Sequence, residues 1–271
     1  MLTIGVAIFT DAIYVDTLLT MDLLLGTFPD QNILRFSRVA SAVAVAKVAL
    51  RRYYAALSNP LDVNPHPALP DPTPVEGVIP KLRYTGKFDK ETGLVKDVLE
   101  EKLRSSAVFT AELADSGQKV VVKFTPTYCV EAHTLLADHD LAPTLHVCTK
   151  LKGGLWMVVM DRVEGERLTE MMKSGRIPMR AYDQAKEAVD LLHAENLVFG
   201  DLRVGNMIYD SQNVGRLRLV DFDLAGTHGM TRYPPTLNRA DKWPLSMMRG
   251  GLLLKQQDLE WLVILKKLID T

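Results

Sequence analysis

Cysteine is nearly absent from this chain, with only Cys129 and Cys148 among 271 residues. Two thiols cannot build a disulfide framework or a cysteine-rich zinc site, so a reducing compartment is the expectation. Net charge is nearly absent too: 32 Lys and Arg stand against 33 Asp and Glu, a balance of −1. No bulk field draws the protein to nucleic acid or to an anionic membrane, and neither is expected as a partner. A long apolar run free of charge is also missing. The first thirty residues carry Asp11, Asp16 and Asp22 with no basic segment ahead of them, the reverse of a secretory signal. The stretch from Ile33 to Leu57 is broken by Arg35, Arg38, Lys47, Arg51 and Arg52, whereas a spanning helix needs about 20 apolar residues with few charges. These absences lead to the expectation of a soluble, intracellular, cytoplasmic protein.

What is present is ordinary globular composition, 47% hydrophobic and 24% charged, over a length that suits about two domains. Residues 1–30 read as short strands, Ile4–Phe9 and Ala12–Leu18. Residues 33–57 are rich in Ala and Leu without Gly or Pro and read as one helix, capped by Asp30 or Asn32. Pro60, Pro65, Pro67, Pro70, Pro72, Pro74 and Pro80 then crowd residues 59–80, and proline fixes φ and removes donors, so this stretch reads as a linker. The division is an extension over 1–58, the linker 59–80, a strand-rich part over 81–162 and a helical part over 163–271.

Beyond the linker, Ala107–Leu113 and Lys119–Phe124 alternate with period two around the turn Ala114-Asp-Ser-Gly117, a hairpin signal. A helix is expected over Val130–Ala137, a strand over Leu155–Met160, and helices over Met179–His193 and Gln256–Ile269. Short strands are expected at Asn206–Tyr209 and Leu217–Val220.

Several polar residues sit in apolar surroundings. Lys123 lies within Val120-Val-Val-Lys-Phe124, where it either points outward from a half-exposed strand or is buried and paired. Glu131, eight positions on, is a plausible partner. An apolar helix ends at His193, an apolar run leads to Gly200-Asp201, and Arg203 and Asn206 follow before another strand. The next strand ends in Asp221-Phe-Asp223. Each aspartate alone suits a turn or a cap. Their order, Lys, Glu, Asp with Asn five positions on, then Asp-Phe, is far more specific.

That order resembles the protein-kinase-like superfamily of phosphotransferases, protein kinases and aminoglycoside or choline kinases alike. The similarity is greatest to fungal protein-kinase-like sequences with a GDLR…N…DFD core and a Gly-Gly pair, here Gly250-Gly251, ahead of a helix. It covers about residues 95–270. The fold it implies is α+β and two-lobed: a small β-rich lobe, an abbreviated helical lobe ending after the helix of Asp258 and Trp261, and an N-terminal helical extension. That helix would brace the catalytic loop from beneath.

The resemblance implies roles residue by residue. Lys123 would hold the α- and β-phosphates of ATP, kept in place by Glu131. Asn206 and Asp221 would bind Mg²⁺ as hard oxygen ligands. Asp201 would orient the acceptor hydroxyl and take its proton, with Arg203 near the γ-phosphate. Met160, Asp161 and Val163 would form a hinge whose backbone reads adenine. The acceptor would be a protein Ser/Thr hydroxyl; a small-molecule hydroxyl and a catalytically silent scaffold are the alternatives.

Four departures from the kinase pattern stand out. No G-x-G-x-x-G precedes Lys123, and Leu103-Arg-Ser-Ser106 takes its place. Phe199-Gly200 replaces the His-Arg ahead of the catalytic Asp, which implies no activation-loop docking by phosphate. Asp223 replaces a glycine and either binds metal or caps the following turn. No Ala-Pro-Glu segment follows. The histidines His133, His139 and His146 lack metal-ligand spacing, Met171-Met172 and Met247-Met248 read as core fillers, and Arg51-Arg52-Tyr53-Tyr54 as a helix end.

Overall fold

The computed structural model describes residues 2–9, 13–21, 29–56, 70, 72–88, 95–96, 108–152, 154–210, 215–235, 237, 243–244 and 246–270. The chain divides into two units, Met1–Pro65 and His66–Thr271, and the division falls inside the proline-dense stretch. Pro60, Pro65, Pro67 and the turn Leu103–Ser106 lie outside the described residues.

In the first unit β1 (Leu2–Phe9) pairs antiparallel with β2 (Ile13–Met21), with a register shift between Ile4 and Gly5. The helix α1 runs over Pro29–Ala56, one turn earlier than the composition suggests, because proline is well tolerated in a first helical turn. Its apolar side chains Phe36, Val43, Val45, Val48 and Leu50 are exposed. No helix among the described residues is long and apolar enough to cross a membrane.

The second unit begins with a six-stranded antiparallel sheet of order β4-β3-β5-β6-β8-β7. Its strands are β3 (Leu82–Phe88), β4 (Val95–Lys96), β5 (Val108–Leu113), β6 (Lys119–Thr125), β7 (Leu145–Lys150) and β8 (Trp156–Asp161). The β5–β6 hairpin closes through Gly117, whose φ of 71° suits glycine and whose amide donates to the Leu113 carbonyl at 2.8 Å. Strand alternation sorts β6 into two faces. Val120 and Val122 enter an apolar core with Ala111, Met157 and Val159, roofed by the edge-to-face rings of Tyr84, Phe109 and Phe124. Val121, Lys123 and Thr125 lie on the other face. The register Val121↔Met160 and Lys123↔Val158 puts Val158 and Met160 on that same face.

The larger core lies below the sheet. The helix α2 (Val130–Asp138) follows β6, then come β9 (Glu166–Arg167), α3 (Leu168–Lys173), α4 (Met179–Ala194) and β10 (Leu197–Val198). On α4 the buried residues Ala181, Ala185, Ala188, Val189 and Leu192 fall at helical spacing on one face. The strands β11 (Met207–Asp210) and β12 (Arg216–Leu219) pair antiparallel, and β13 (Gly226–Thr227) pairs with β10. The helix α5 (Lys255–Ile269) closes the core with Trp261, Leu262 and Leu265. Of the methionine pairs only one member each fills this core. Met171 and Met247 are buried, whereas Met172 and Met248 are exposed at 36% and 59%, because adjacent positions cannot both face one core.

Candidate active site

Lys123 does not point outward. Its side chain is 11% exposed, and Nζ lies 2.6 Å from Asp221 Oδ1 and 2.7 Å from Asp223 Oδ1. Burial alone would lower its pKa, but the two carboxylates outweigh that and hold it above the ordinary lysine value. Glu131 does not join this cluster. It sits in the first turn of α2, where Cys129 Sγ contacts Oε2 at 3.6 Å. Both thiols are pushed up to about 11, chiefly by burial, which leaves them poor nucleophiles.

The segment from Phe199 to Asn206 is a loop between β10 and β11, finished by one 3₁₀ turn over Val204–Asn206. Asp258, fully buried in the first turn of α5, accepts the amides of Phe199 at 2.8 Å and Gly200 at 2.9 Å, and His193 Nε2 donates to it at 3.1 Å. The Tyr233 hydroxyl sits 3.1 Å from both the Gly200 carbonyl and Gln257 Oε1. Gly250-Gly251 supports this tyrosine, since the Gly251 carbonyl accepts the Tyr233 amide at 3.0 Å. Gly200 itself has φ of 78°, and a Cβ there would meet the Leu224 carbonyl at 2.7 Å. Any residue with a Cβ is strained at that position.

From this braced loop Asp201 projects into the same cleft. Its carboxyl is buried, and its pKa is pushed up to about 6, chiefly by burial; Arg203 opposes that rise while Asp221 adds to it. Oδ2 accepts the Asn206 amide at 2.9 Å and pairs with Arg203 at 3.0 Å, while Oδ1 is buried without a hydrogen-bond partner. Asn206 also donates to the Asp201 carbonyl at 3.0 Å, so its amide nitrogen is committed, while its side-chain oxygen makes no hydrogen bond among the described residues. Arg203 is held from behind, its guanidinium 5.7 Å from the Trp243 ring centre.

Asp221 has φ of 74°, a left-handed conformation that aspartate tolerates better than most residues. Burial works against its charge, yet Lys123 and Arg203 bring its pKa below the usual carboxylate value. Asp223 is shifted the other way, raised by burial and by Asp221. Between them Phe222 is fully buried, stacked on His133 at 4.6 Å and edge-on to Phe199 at 5.2 Å. His133 Nε2 donates to the Pro143 carbonyl at 2.7 Å, and the Tyr128 hydroxyl donates to Nδ1 at 2.7 Å. Burial pushes this imidazole down to about 4.

At the proposed hinge, the amides of Asp161 and Arg162 are already donated to the Thr144 and Lys119 carbonyls at 2.9 and 3.1 Å. The Val163 amide makes no backbone hydrogen bond among the described residues. The Asp161 carboxylate accepts from His146 Nε2 and Gln118 Nε2, both at 2.6 Å, and stays out of the Lys123 cluster. Met160 is buried beside Val158 and Val121 on the face that carries Lys123.

This is a cleft with a lysine under a sheet, a braced Asp-Arg-Asn loop below it and an Asp-Phe-Asp turn between them. A search of solved structures finds a similar fold in the kinase PK-1 of Cydia pomonella granulovirus. That chain is 19% identical, with 70% of this chain and 68% of that one covered at a TM-score of 0.52. The fold is protein-kinase-like. No protein-family model matches the sequence, and no curated protein matches it.

Within this kinase-like fold the donor set suits a hard divalent cation. Among the described residues three carboxylates, Asp201, Asp221 and Asp223, face two cations, Lys123 and Arg203, and Asp201 Oδ1 and Asp223 Oδ1 have no hydrogen-bond partner. Among the described residues no three His, Cys, Asp or Glu side chains form a self-sufficient metal cage.

The structure brings Lys123, Asp201, Arg203, Asn206 and Asp221 together, and it pairs Lys123 with Asp221 and Asp223 where the sequence suggested Glu131. Sequence reasoning also missed Thr125 beside Asp223, Trp243 behind Arg203, and the Val121–Val158 pair. The period-two spacing from Lys123 points to Val121 and Thr125. Nothing local marks Trp243.

Proposed function

We propose that this protein is an ATP- and Mg²⁺-dependent phosphotransferase that carries the γ-phosphate to a Ser/Thr hydroxyl on a protein. The observation that carries this reading is the meeting of Lys123, Asp201, Asn206 and Asp221 in one cleft of a kinase-like fold. The GDLR…N…DFD core, resembling fungal kinase-like sequences, supports it from the sequence side.

The apolar face of Val121, Val158 and Met160 gives a nucleobase a flat surface, and the Val163 amide offers it a donor. Lys123 would hold the α- and β-phosphates by charge. Asn206 and Asp221 would hold Mg²⁺, which when bound neutralises phosphate charge and aligns the transfer. Asp201, with a pKa of about 6, is ionised at neutral pH and more basic than an ordinary carboxylate, which suits a group that takes a hydroxyl proton. Its Arg203 partner, backed by Trp243, keeps a guanidinium at the cleft mouth, where transferring phosphate needs a bidentate donor.

A small-molecule acceptor is the second reading, supported by Gly200-Asp201, where no arginine stands to dock a phosphorylated activation loop. Incubation with labelled ATP and either protein or metabolite pools separates the two by where the label goes. The founding test is thermal unfolding with Mg²⁺-ATP, with ATP plus chelator, and with Asp221→Ala. At about 100 times Kd the ligand adds roughly 2.7 kcal/mol. The reading requires a metal-dependent stabilisation that the variant loses. No shift at millimolar ATP overturns it.

A further inference from the structure

Two pairs of residues, each two positions apart, face one another across the cleft. Lys123 and Thr125 share one face of β6, and Asp221 and Asp223 flank Phe222. Lys123 Nζ donates to Asp221 Oδ1 and lies within ion-pair distance, 2.7 Å, of Asp223 Oδ1. Asp223 has anchors of its own: Thr125 Oγ1 donates to Oδ2 at 2.7 Å, and Thr127 Oγ1 donates to its backbone carbonyl at 2.9 Å. Among the described residues the Asp221 carboxylate has no such side-chain anchor; it is held by Lys123 and the Asp223 amide, with Arg203 acting through charge. Glu131 is engaged with Cys129 instead.

We infer that Asp223 is the positioning residue that holds Lys123 for a nucleotide phosphate, the task the resemblance assigns to Glu131. The inference rests on the phosphotransferase reading. An ammonium as buried as Lys123 needs a permanent counter-charge. Asp221 is the carboxylate required by a cation, so it cannot be that permanent partner. Asp223 can, because two threonines of the lysine's own strand and its exit fix it in place. Two carboxylates on one ammonium also repel each other, and a cation at Asp221 relieves that repulsion while leaving Asp223 where it is. The third position of Asp-Phe-Asp thus neither ligates metal nor simply caps a turn; it replaces a helix glutamate as the lysine's anchor.

The test has a structural and a kinetic arm, both on the full chain. Crystals of wild type, Asp223→Asn and Glu131→Gln are soaked in magnesium chloride without nucleotide. The expected result is Lys123 Nζ within about 3 Å of Asp223 in wild type and Glu131→Gln, and displaced by about 2 Å or more in Asp223→Asn. Lys123 found on Glu131, or unmoved in Asp223→Asn, overturns the inference. In steady-state transfer, Asp223→Asn and Thr125→Val lower kcat about tenfold or more, whereas Glu131→Gln and Thr125→Ser stay within about twofold. Equal losses in Glu131→Gln and Asp223→Asn also overturn it. A wild-type protein that transfers no phosphate defeats the underlying reading instead, and the crystals still decide which acid holds Lys123.

Discussion

Asp258 accepts the backbone amide of Gly200 at 2.9 Å across 58 residues of chain, inside a core where the carboxylate has no exposure at all. The same carboxylate takes the Phe199 amide, so one side chain of α5 sets the backbone from which Asp201 projects. Charge-assisted hydrogen bonds are stronger than neutral ones, and a buried carboxylate keeps its charge only if such donors surround it. The loop that carries Asp201 is therefore braced from below by α5 as well as by its own backbone.

Removing that brace is costly. Asp258→Ala leaves two buried amides and His193 without an acceptor, and a loss of about 3–5 kcal/mol is expected. Urea denaturation measures it. Asp258→Asn, which retains one acceptor oxygen, is expected to fall between the variant and wild type; equal stability of all three would show that the loop is held by other contacts.

Gly200→Ala tests the backbone itself. The left-handed φ and the 2.7 Å approach of a Cβ to the Leu224 carbonyl predict a loss of about 2–3 kcal/mol, far more than an ordinary loop Gly→Ala. A variant as stable as wild type in chemical denaturation would mean the loop can adopt a second backbone conformation.

Asp201→Asn separates binding from transfer. The side-chain oxygen can still accept from Asn206, so the loop stays folded, but no base remains for the hydroxyl proton. We expect kcat to fall about 10²–10⁴-fold with ATP affinity unchanged by calorimetry. Full turnover by this variant would remove Asp201 from its role.

His133 makes stability depend on pH. Its folded pKa, lowered to about 4 by burial, lies below that of an ordinary histidine, about 6.5. The unfolded chain thus binds a proton first as pH falls. The contribution is fully present above about 6.5 and is lost as pH drops toward 4, on the order of 3 kcal/mol at full titration. His133→Gln keeps a donor for the Pro143 carbonyl and cannot titrate, so its denaturation midpoint should fall less steeply between pH 7 and 4.5. Parallel slopes for the two proteins would contradict the buried neutral imidazole stacked on Phe222.

Much of the site was legible because it is written in short segments. Gly200-Asp-Leu-Arg-Val-Gly-Asn206 and Asp221-Phe-Asp223 each place their polar groups by local backbone, and Lys123 announces itself by standing in an apolar strand. The hairpin at Gly117 and the α4 face were equally visible, since turn chemistry and a 3.6-residue period are local properties. Where the reading went astray, the deciding contacts were distant. The partners of Lys123 are distant in sequence, Asp221 lying 98 residues away and Asp223 just beyond it, whereas Glu131, eight positions downstream, offered a nearer candidate that the structure does not pair with it. The methionine pairs show the same limit: composition says core, but only the orientation of each helix or loop says which of two neighbours enters it.

By itself, then, the order of residues determined which polar groups this chain sets on its apolar elements: Lys123, Asp201, Asn206 and Asp221. Tertiary structure alone decided how those groups are paired and poised. Pairing depends on which side chains share a buried, low-dielectric cleft, and burial is a property of the packed whole. It is burial that drives Asp201 up to about 6 and forces the Lys123 ammonium between two aspartates.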